Sequence, residues 1–376
     1  MSYSVVIIGP YAPSMFRFRG PLIRDLVQQG VRVYALAPDY DEVWAERIRS
    51  LGAIPISMPL NRTGLNPLEE MWSLVYLWRL LIKVHPDVVL GYHSKPVAYG
   101  PIAGWLAGVP RRIAWLGGLG YVFTPDAWSR KKWLIRLPVK ILYRWSFAIA
   151  HWVWVQNPDD REELVRQGLV TPQKTVVVGG TGVGLGVWRP GPPHLEPITF
   201  TLVARLLRTK GVYEFVEVAR LIKVRFPQTR FWIIGPLETN PGAVTRQEVE
   251  NWVQQGWVEW KGEVEDVQSF LAQTSVFVLP SYYREGIPRS TQEALAMARP
   301  VITTDVPGCR ETVVNGENGF LVPPRNVEAL AQAVLRFLEE PDRIRRMGEA
   351  SRRLAEERFD VRRINQTLIS YILGYV

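Results

Sequence analysis

Short apolar runs along this chain alternate with longer stretches whose apolar residues recur at helical spacing, the pattern of repeated βα units on a parallel sheet. In the first half, Val5–Ile8, Val31–Leu36, Ile54–Met58, Asp87–Gly91, Arg112–Leu116, Trp152–Val155 and Thr175–Val178 are predicted strands. Helical stretches such as Pro21–Gln29, Pro67–Lys83 and Val97–Ala107 lie between them. Then Trp188–Pro197, WRPGPPHLEP, brings four prolines and no apolar periodicity, which reads as a linker. The alternation restarts with Thr199–Val203, Arg230–Ile234, Val258–Trp260, Val276–Leu279, Val301–Thr303 and Gly319–Val322, and the chain ends in consecutive helices. The pattern predicts an α/β chain of two Rossmann-like domains with a cleft between them, over 1–190 and 191–360, and a helix over 361–376 that packs back on the first domain. In such sheets ligands bind beyond the carboxyl ends of the strands.

Composition changes this picture in one respect. With 376 residues, 47% of them hydrophobic and 22% charged, the chain has a globular make-up with enough length for two cores. Its single cysteine, Cys309, has no partner for an internal bridge. The formal charge of +9 lies entirely in residues 1–190, which hold 22 basic and 13 acidic side chains against 23 and 23 in the remainder. Tryptophan is skewed the same way, with 11 of 15 before residue 191, so the two halves are expected to meet different partners. No nucleic-acid recognition motif accompanies the charge, and nucleic acid is not an expected partner. The N-terminus lacks the features of a signal peptide, and Trp72–Ile82 and Trp145–Val155 are too short to span a bilayer. The expected location is cytoplasmic.

The candidate chemistry begins with exclusions. The first predicted strand ends in Gly9-Pro10-Tyr11-Ala12-Pro13, which is not GxGxxG, and no GxxxxGK[ST] occurs. Histidines at 85, 93, 151 and 194 show no metal-ligand spacing, so no metal site is expected. Asp39-Tyr40-Asp41 has the form of a metal-carrying DxD but sits where an acidic pair commonly begins a loop. The informative block starts at Val276: VFVLPSYYREGIPRSTQEALAMARPVITTDVPGCRE, followed by NGFLVPP. A strand runs into a loop with Glu285-Gly286, and a helix from near Arg289 carries Glu293, eight positions after Glu285. Backbone N–H groups at such a helix start can face a diphosphate.

This block resembles the E(x)7E motif of glycosyltransferase family 4, retaining enzymes of GT-B fold, and the resemblance covers almost the whole chain. It implies a UDP-sugar donor without a further cofactor. Glu285 would reach the sugar and Glu293 the ribose, with Gly286, Ile287, Pro288 and Arg289 completing the donor loop. Ala204-Arg205-Leu206-Leu207-Arg208-Thr209-Lys210-Gly211 matches the family's diphosphate clamp, assigning Arg205 and Lys210 to the leaving group in place of a metal ion. Trp257–Val264, with Gly262 and Val264, occupies the base-binding position, and Gly180-Thr181-Gly182-Val183 resembles the family's GxGVD turn, although Gly184 stands where aspartate is usual. His93, just past a buried strand, corresponds to a histidine facing the donor sugar. The segment Ser14–Gly20 reads as a loop at the acceptor end of the first strand, where Ser14, Phe16, Arg17 and Arg19 are acceptor candidates and the two arginines a phosphate grip; an ordinary loop entering a helix remains the other reading.

The wording FRGPLI, HSKPVAYGP, GLGYVFT and SYYREGIPR is most similar to the subgroup extending undecaprenyl-diphosphate-linked sugars, such as N-acetylgalactosaminyltransferases. One further pattern bears on that. No acidic residue occurs from Ala127 to Pro158, while Lys132, Arg136, Lys140 and Arg144 recur every four positions beside Trp133, Leu134, Leu137, Ile141 and Trp145. A core helix with a solvated basic face fits this, as does an interfacial membrane helix, to which each basic residue adds about 1 kcal/mol near anionic lipid; the subgroup resemblance favours the second. The expected function is therefore retaining transfer of a sugar, an N-acetylhexosamine, from a UDP-sugar to a lipid-diphosphate-linked acceptor on the inner face of the cell membrane. The alternatives are a nucleotide-sugar epimerase of the same fold and a non-catalytic sugar-binding protein.

Overall fold

The computed structural model describes residues 3–61, 66–120, 123, 130–239 and 242–375, with 130–135 described by backbone alone. It divides into two compact units, 1–181 with 361–376 and 182–360.

In the first unit the chain alternates β1 (Ser4–Ile8), α1 (Ala12–Gln28), β2 (Arg32–Ala37), α2 (Glu42–Arg49), β3 (Ile54–Ser57), α3 (Pro67–Val84), β4 (Val88–Tyr92), α4 (Pro96–Leu106), β5 (Arg111–Trp115), α5 (Arg130–Ile149), β6 (Trp152–Val155), α6 (Pro158–Arg166) and β7 (Thr175–Val177). The strands pair in parallel in the order β3-β2-β1-β4-β5-β6-β7. Helices cover both faces, which is why the central strands read as unbroken apolar runs. Val6 and Ile8 face a core layer with Leu77 and Leu81 of α3, Ala103 of α4 and Phe147 of α5. Val5 and Ile7 point the other way, toward Met15 and Ile23 of α1 and Ile48 of α2.

The second unit contains β8 (Thr199–Val203), α7 (Val212–Arg225), β9 (Arg230–Ile234), α8 (Arg246–Gln254), β10 (Glu259–Trp260), α9 (Val267–Ala272), β11 (Val276–Leu279), α10 (Arg289–Ala296), β12 (Val301–Thr304), β13 (Gly319–Val322), α11 (Val327–Glu339) and α12 (Asp342–Arg358). Its parallel sheet runs β10-β9-β8-β11-β12-β13. A last helix, α13 (Val361–Leu373), belongs to the first unit. There Ile364, Leu368 and Ile372 join the layer under β1, and Asn365 Nδ2 donates to Asp25 at 2.6 Å.

Two expectations are corrected. The segment 188–197 is not a free linker, and the division falls at 181/182 instead of 190/191. Carbonyls of this segment find donors within the second unit: Arg299 donates to that of Pro192 at 3.1 Å, Arg352 to that of Trp188 at 2.9 Å, and Ser275 to that of His194. Arg299 is fully buried, and desolvation lowers its pKa to about 10. Second, Ser14–Gly20 is not a loop, because α1 starts at Ala12 and runs through Pro21. The helix start is fixed from a distance by Asp39, whose carboxylate accepts from the Ala12 N–H at 2.6 Å. Asp41 accepts from the Trp44 N–H at 2.7 Å, so the Asp39-Tyr40-Asp41 pair caps two successive helices. No described helix is long and apolar enough to cross a membrane.

Candidate donor and acceptor sites

Each sheet reverses its strand order once, between β1 and β4 and between β8 and β11, and such switch points create ligand crevices at the carboxyl edge. In the second unit, β8 leads into Ala204–Gly211 and β11 into 280–288. These two loops are tied together. Tyr282 N–H donates to the Thr209 carbonyl at 2.9 Å, and the Ser281 hydroxyl lies 3.2 Å from that carbonyl and 3.0 Å from Glu285 Oε1. Lys210 forms an ion pair with Glu285, both side chains being nearly nine-tenths buried. Beneath them lies the Cys309 thiol, raised to about 12 by burial and by the neighbouring Glu285 charge, and therefore neutral at physiological pH.

Arg205 meets a residue that the motifs did not indicate, Glu238, at 3.2 Å. Glu238 follows Gly235-Pro236 at the end of β9, and its only signal in the sequence is an acidic side chain at the same carboxyl edge. Gly262 is linked to this turn through its carbonyl, which accepts from Gly235 N–H at 2.8 Å, while Val264 is half-buried nearby in sequence. The helix α10 begins at Arg289 with Pro288 as a cap residue that offers no side-chain acceptor. The turn before it is held by Thr291 Oγ1 donating to the Pro288 carbonyl at 2.7 Å and Gln292 Nε2 to that of Ile287 at 3.0 Å. Arg289 bridges two expected donor residues, with Nε 2.9 Å from Glu293 Oε1 and Nη1 on the Gly182 carbonyl. Three cation–carboxylate pairs thus stand at one edge: Lys210 with Glu285, Arg205 with Glu238 and Arg289 with Glu293. Such pairing holds these long side chains in fixed geometry.

In the first unit, His93 follows β4 at the switch point. It is exposed and adopts φ 74°, a left-handed conformation rare outside glycine and frequent at functional sites. Its N–H donates to the Trp115 carbonyl at 3.1 Å, its own carbonyl accepts from Val97 N–H at 3.0 Å, and Ser94 Oγ lies 3.4 Å from its Nδ1.

The four acceptor candidates stand on α1 and diverge. Ser14 is buried with its hydroxyl 2.9 Å from the Tyr92 hydroxyl. Phe16 packs toward Trp44, with ring centroids 6.3 Å apart. Arg17 is exposed and its Cζ lies 5.6 Å from the Trp44 ring, whereas Arg19 is 3% exposed and its Cζ lies 3.5 Å from the Trp115 ring and 4.4 Å from that of Tyr92. At about 100° per residue, side chains two apart on a helix point to nearly opposite sides, so Arg17 and Arg19 do not form one phosphate grip. Arg19 instead acts inside the core as a cation between two aromatic faces.

On α5, Arg136 and Arg144 are exposed and Lys140 is half-buried, its pKa lowered by that burial and by Arg136. The side chains of Lys132 and Trp133 lie outside the described residues. Leu137, Ile141 and Trp145 form an exposed apolar row beside the basic one. Helix α4 packs between α3 and α5; α3 exposes Met71 and Trp72, and α4 exposes Trp105 and Leu106 at its end.

Comparison with known proteins accords with this geometry. Residues 197–340 match the family described as Glycosyl transferases group 1, and residues 21–180 match Glycosyltransferase Family 4. The chain is 28% identical over 341 residues, 87% of each sequence, to the N,N'-diacetylbacillosaminyl-diphospho-undecaprenol alpha-1,3-N-acetylgalactosaminyltransferase of Campylobacter jejuni. It is 31% identical, over 72% of each sequence, to the capsular polysaccharide biosynthesis glycosyltransferase CapM of Staphylococcus aureus. Among solved structures, sucrose-phosphate synthase from Thermosynechococcus elongatus superposes with a TM-score of 0.80 at 19% identity, covering 99% of both chains. Anabaena HepE in complex with UDP and glucose gives 0.78 at 16% identity over 100% of both. The expected GT-B fold of two Rossmann-like domains is the fold found.

Proposed function

The chain belongs to glycosyltransferase family 4, and on that premise we propose that it moves a sugar from a UDP-sugar to a polyprenyl-diphosphate-linked sugar with retention of anomeric configuration. The observation that carries this reading is the Lys210–Glu285 pair at the switch point of the second sheet, beside a helix start that has no side-chain cap. The acceptor hydroxyl oxygen bonds to the anomeric carbon while the bond from that carbon to the diphosphate breaks. The hydroxyl proton passes to the leaving phosphate oxygen on the same face, and UDP departs. Arg205, Lys210 and the start of α10 after Gly286 stabilise the charge that develops on the diphosphate. Glu285 orients the sugar, Glu293 binds ribose, and Gly262 and Val264 hold the base through their backbone. His93 serves as a hydrogen-bond partner of the reacting groups and need not act as a base. The name of the Campylobacter relative supports an N-acetylhexosamine as the transferred sugar and an undecaprenyl-diphosphate-linked acceptor.

A panel of UDP-sugars against polyprenyl-diphosphate sugars tests the reading. UDP release and a product heavier by one sugar, with the donor's anomeric configuration kept, are expected, and no UDP release from any pair rejects it. Conversion of the donor without acceptor would point to an epimerase instead. Because side-chain cations balance the diphosphate, transfer is expected to persist in EDTA.

This reading also places the first unit against an anionic bilayer on its cytoplasmic side, with the basic and apolar rows of α5 in contact and the exposed aromatics of α3 and α4 beside them. Ile141→Ser combined with Trp145→Ser is expected to weaken co-sedimentation with anionic vesicles about tenfold, because two apolar side chains no longer enter the acyl boundary. Raised salt weakens it further. Equal sedimentation of variant and parent would remove α5 from the contact.

A further inference from the structure

Two cations in the first unit are held in place without a carboxylate. Arg47 of α2 has its Cζ 4.5 Å from the Trp44 ring centroid and 5.9 Å from that of Phe16, and Arg17 of α1 lies 5.6 Å from the same indole. Trp44 is fixed by the Asp41 cap at the start of α2 and by Phe16 across from α1. The acidic residues of α2 are already engaged, since Arg49 pairs with Glu42 at 2.7 Å and Glu46 at 3.0 Å. Among the described residues, neither Arg17 nor Arg47 has a carboxylate within ion-pair distance. Both helices start at the carboxyl edge of the sheet, after β1 and β2, and both arginines sit in the second turn.

We propose that Arg17 and Arg47, both within cation–π range of Trp44, form the seat for the diphosphate of the lipid-linked acceptor. A guanidinium held by an indole through cation–π attraction keeps its N–H edges available for bidentate contact with phosphate oxygens. Two such forks beside one indole suit a group with two adjacent anionic phosphates. The second helix contributes what α1 alone lacks, since Arg19 is turned into the core. This rests on the acceptor reading above. The chemistry recognised is a phosphate ester on a lipid, which a bilayer headgroup also carries.

The test therefore separates the sources. Geranyl diphosphate, a short soluble prenyl diphosphate, is titrated into the full chain with tryptophan fluorescence as the readout. Binding is expected to weaken about tenfold in Arg47→Ala or Arg17→Ala, the usual scale for a charge-assisted contact, and further in the double variant. Trp44→Leu, which keeps both charges, also weakens it, whereas Arg49→Ala does not. In transfer assays the acceptor KM rises with a diphosphate-linked acceptor but not with the same sugar on a neutral alkyl linker, and the donor KM stays. Equal affinity of parent and double variant for geranyl diphosphate overturns the proposal, as does an equal KM increase for both acceptors. Loss of anionic-vesicle binding with unchanged geranyl diphosphate affinity assigns the pair to headgroups and likewise overturns it. Because the titration needs no turnover, a parent protein that binds the probe but releases no UDP rejects the transfer reading and leaves this site standing.

Discussion

Lys210→Ala is expected to lower UDP release about 10²–10³-fold, the scale of removing one preorganised group that stabilises developing charge. Lys210 and Glu285 are both nearly nine-tenths buried, so the ammonium acts where water screens little. A structural explanation predicts something different. Removing the lysine takes from Glu285 the cation it pairs with, and losing one partner of a largely buried ion pair destabilises the fold. Lys210→Met combined with Glu285→Gln removes both charges and is expected to recover thermal stability relative to Lys210→Met alone, while activity stays lost. Recovery of UDP release together with stability would mean that the pair only supports the loop. Lys210→Ala with near-parental release would dismiss the diphosphate clamp altogether.

Much of the fold is legible because parallel strands buried on both faces must be apolar throughout. The run Val5–Ile8 and the run Val276–Leu279 therefore declare themselves without any partner being known. The start of α1 does not. Gly20-Pro21 imitates a helix beginning, since proline favours the first turn, and the true cap, Asp39, lies 27 positions away. Local pattern cannot register a cap supplied from another βα unit. The same reason explains the site. Glu285 and Glu293 are legible because one loop and one short helix carry both, whereas the pairing of Arg205 with Glu238 depends on two strands side by side. Arg17 and Arg19 look equivalent in FRFRG until helix periodicity separates them, and Arg47 gains a role only because α2 packs on α1. The proline-rich 188–197 segment misleads for the opposite reason: its composition is that of a linker, but buried Arg299 and half-buried Arg352 supply donors to its carbonyls.

The largest stability effect is expected at Gly308, which holds the Glu285 loop from below. Its φ is 80°, and a β-carbon built there would lie 1.6 Å from the Gly286 carbonyl oxygen and 2.8 Å from that of Glu285. Both are backbone atoms, so no side-chain rotation relieves the clash; the loop itself must move. The left-handed conformation costs a non-glycine residue about 1–2 kcal/mol, and forcing extra volume into a packed site costs about 1–3 kcal/mol more. Gly308→Ala is therefore expected to destabilise the second unit by about 2–5 kcal/mol. Gly256→Ala is the matched control, because Gly256 has φ 71° with nothing within 4 Å of the added carbon. It should show the backbone cost alone, about 1–2 kcal/mol. The displaced loop carries Glu285 and Gly286, and a misplacement of about 1 Å can cost 10²-fold in rate, so Gly308→Ala should lose activity even at temperatures where it remains folded. Thermal melting and UDP release measured on the two variants decide the matter. A Gly308→Ala protein as stable and active as Gly256→Ala would mean that the loop yields freely, and that the position of Glu285 is not set by this contact.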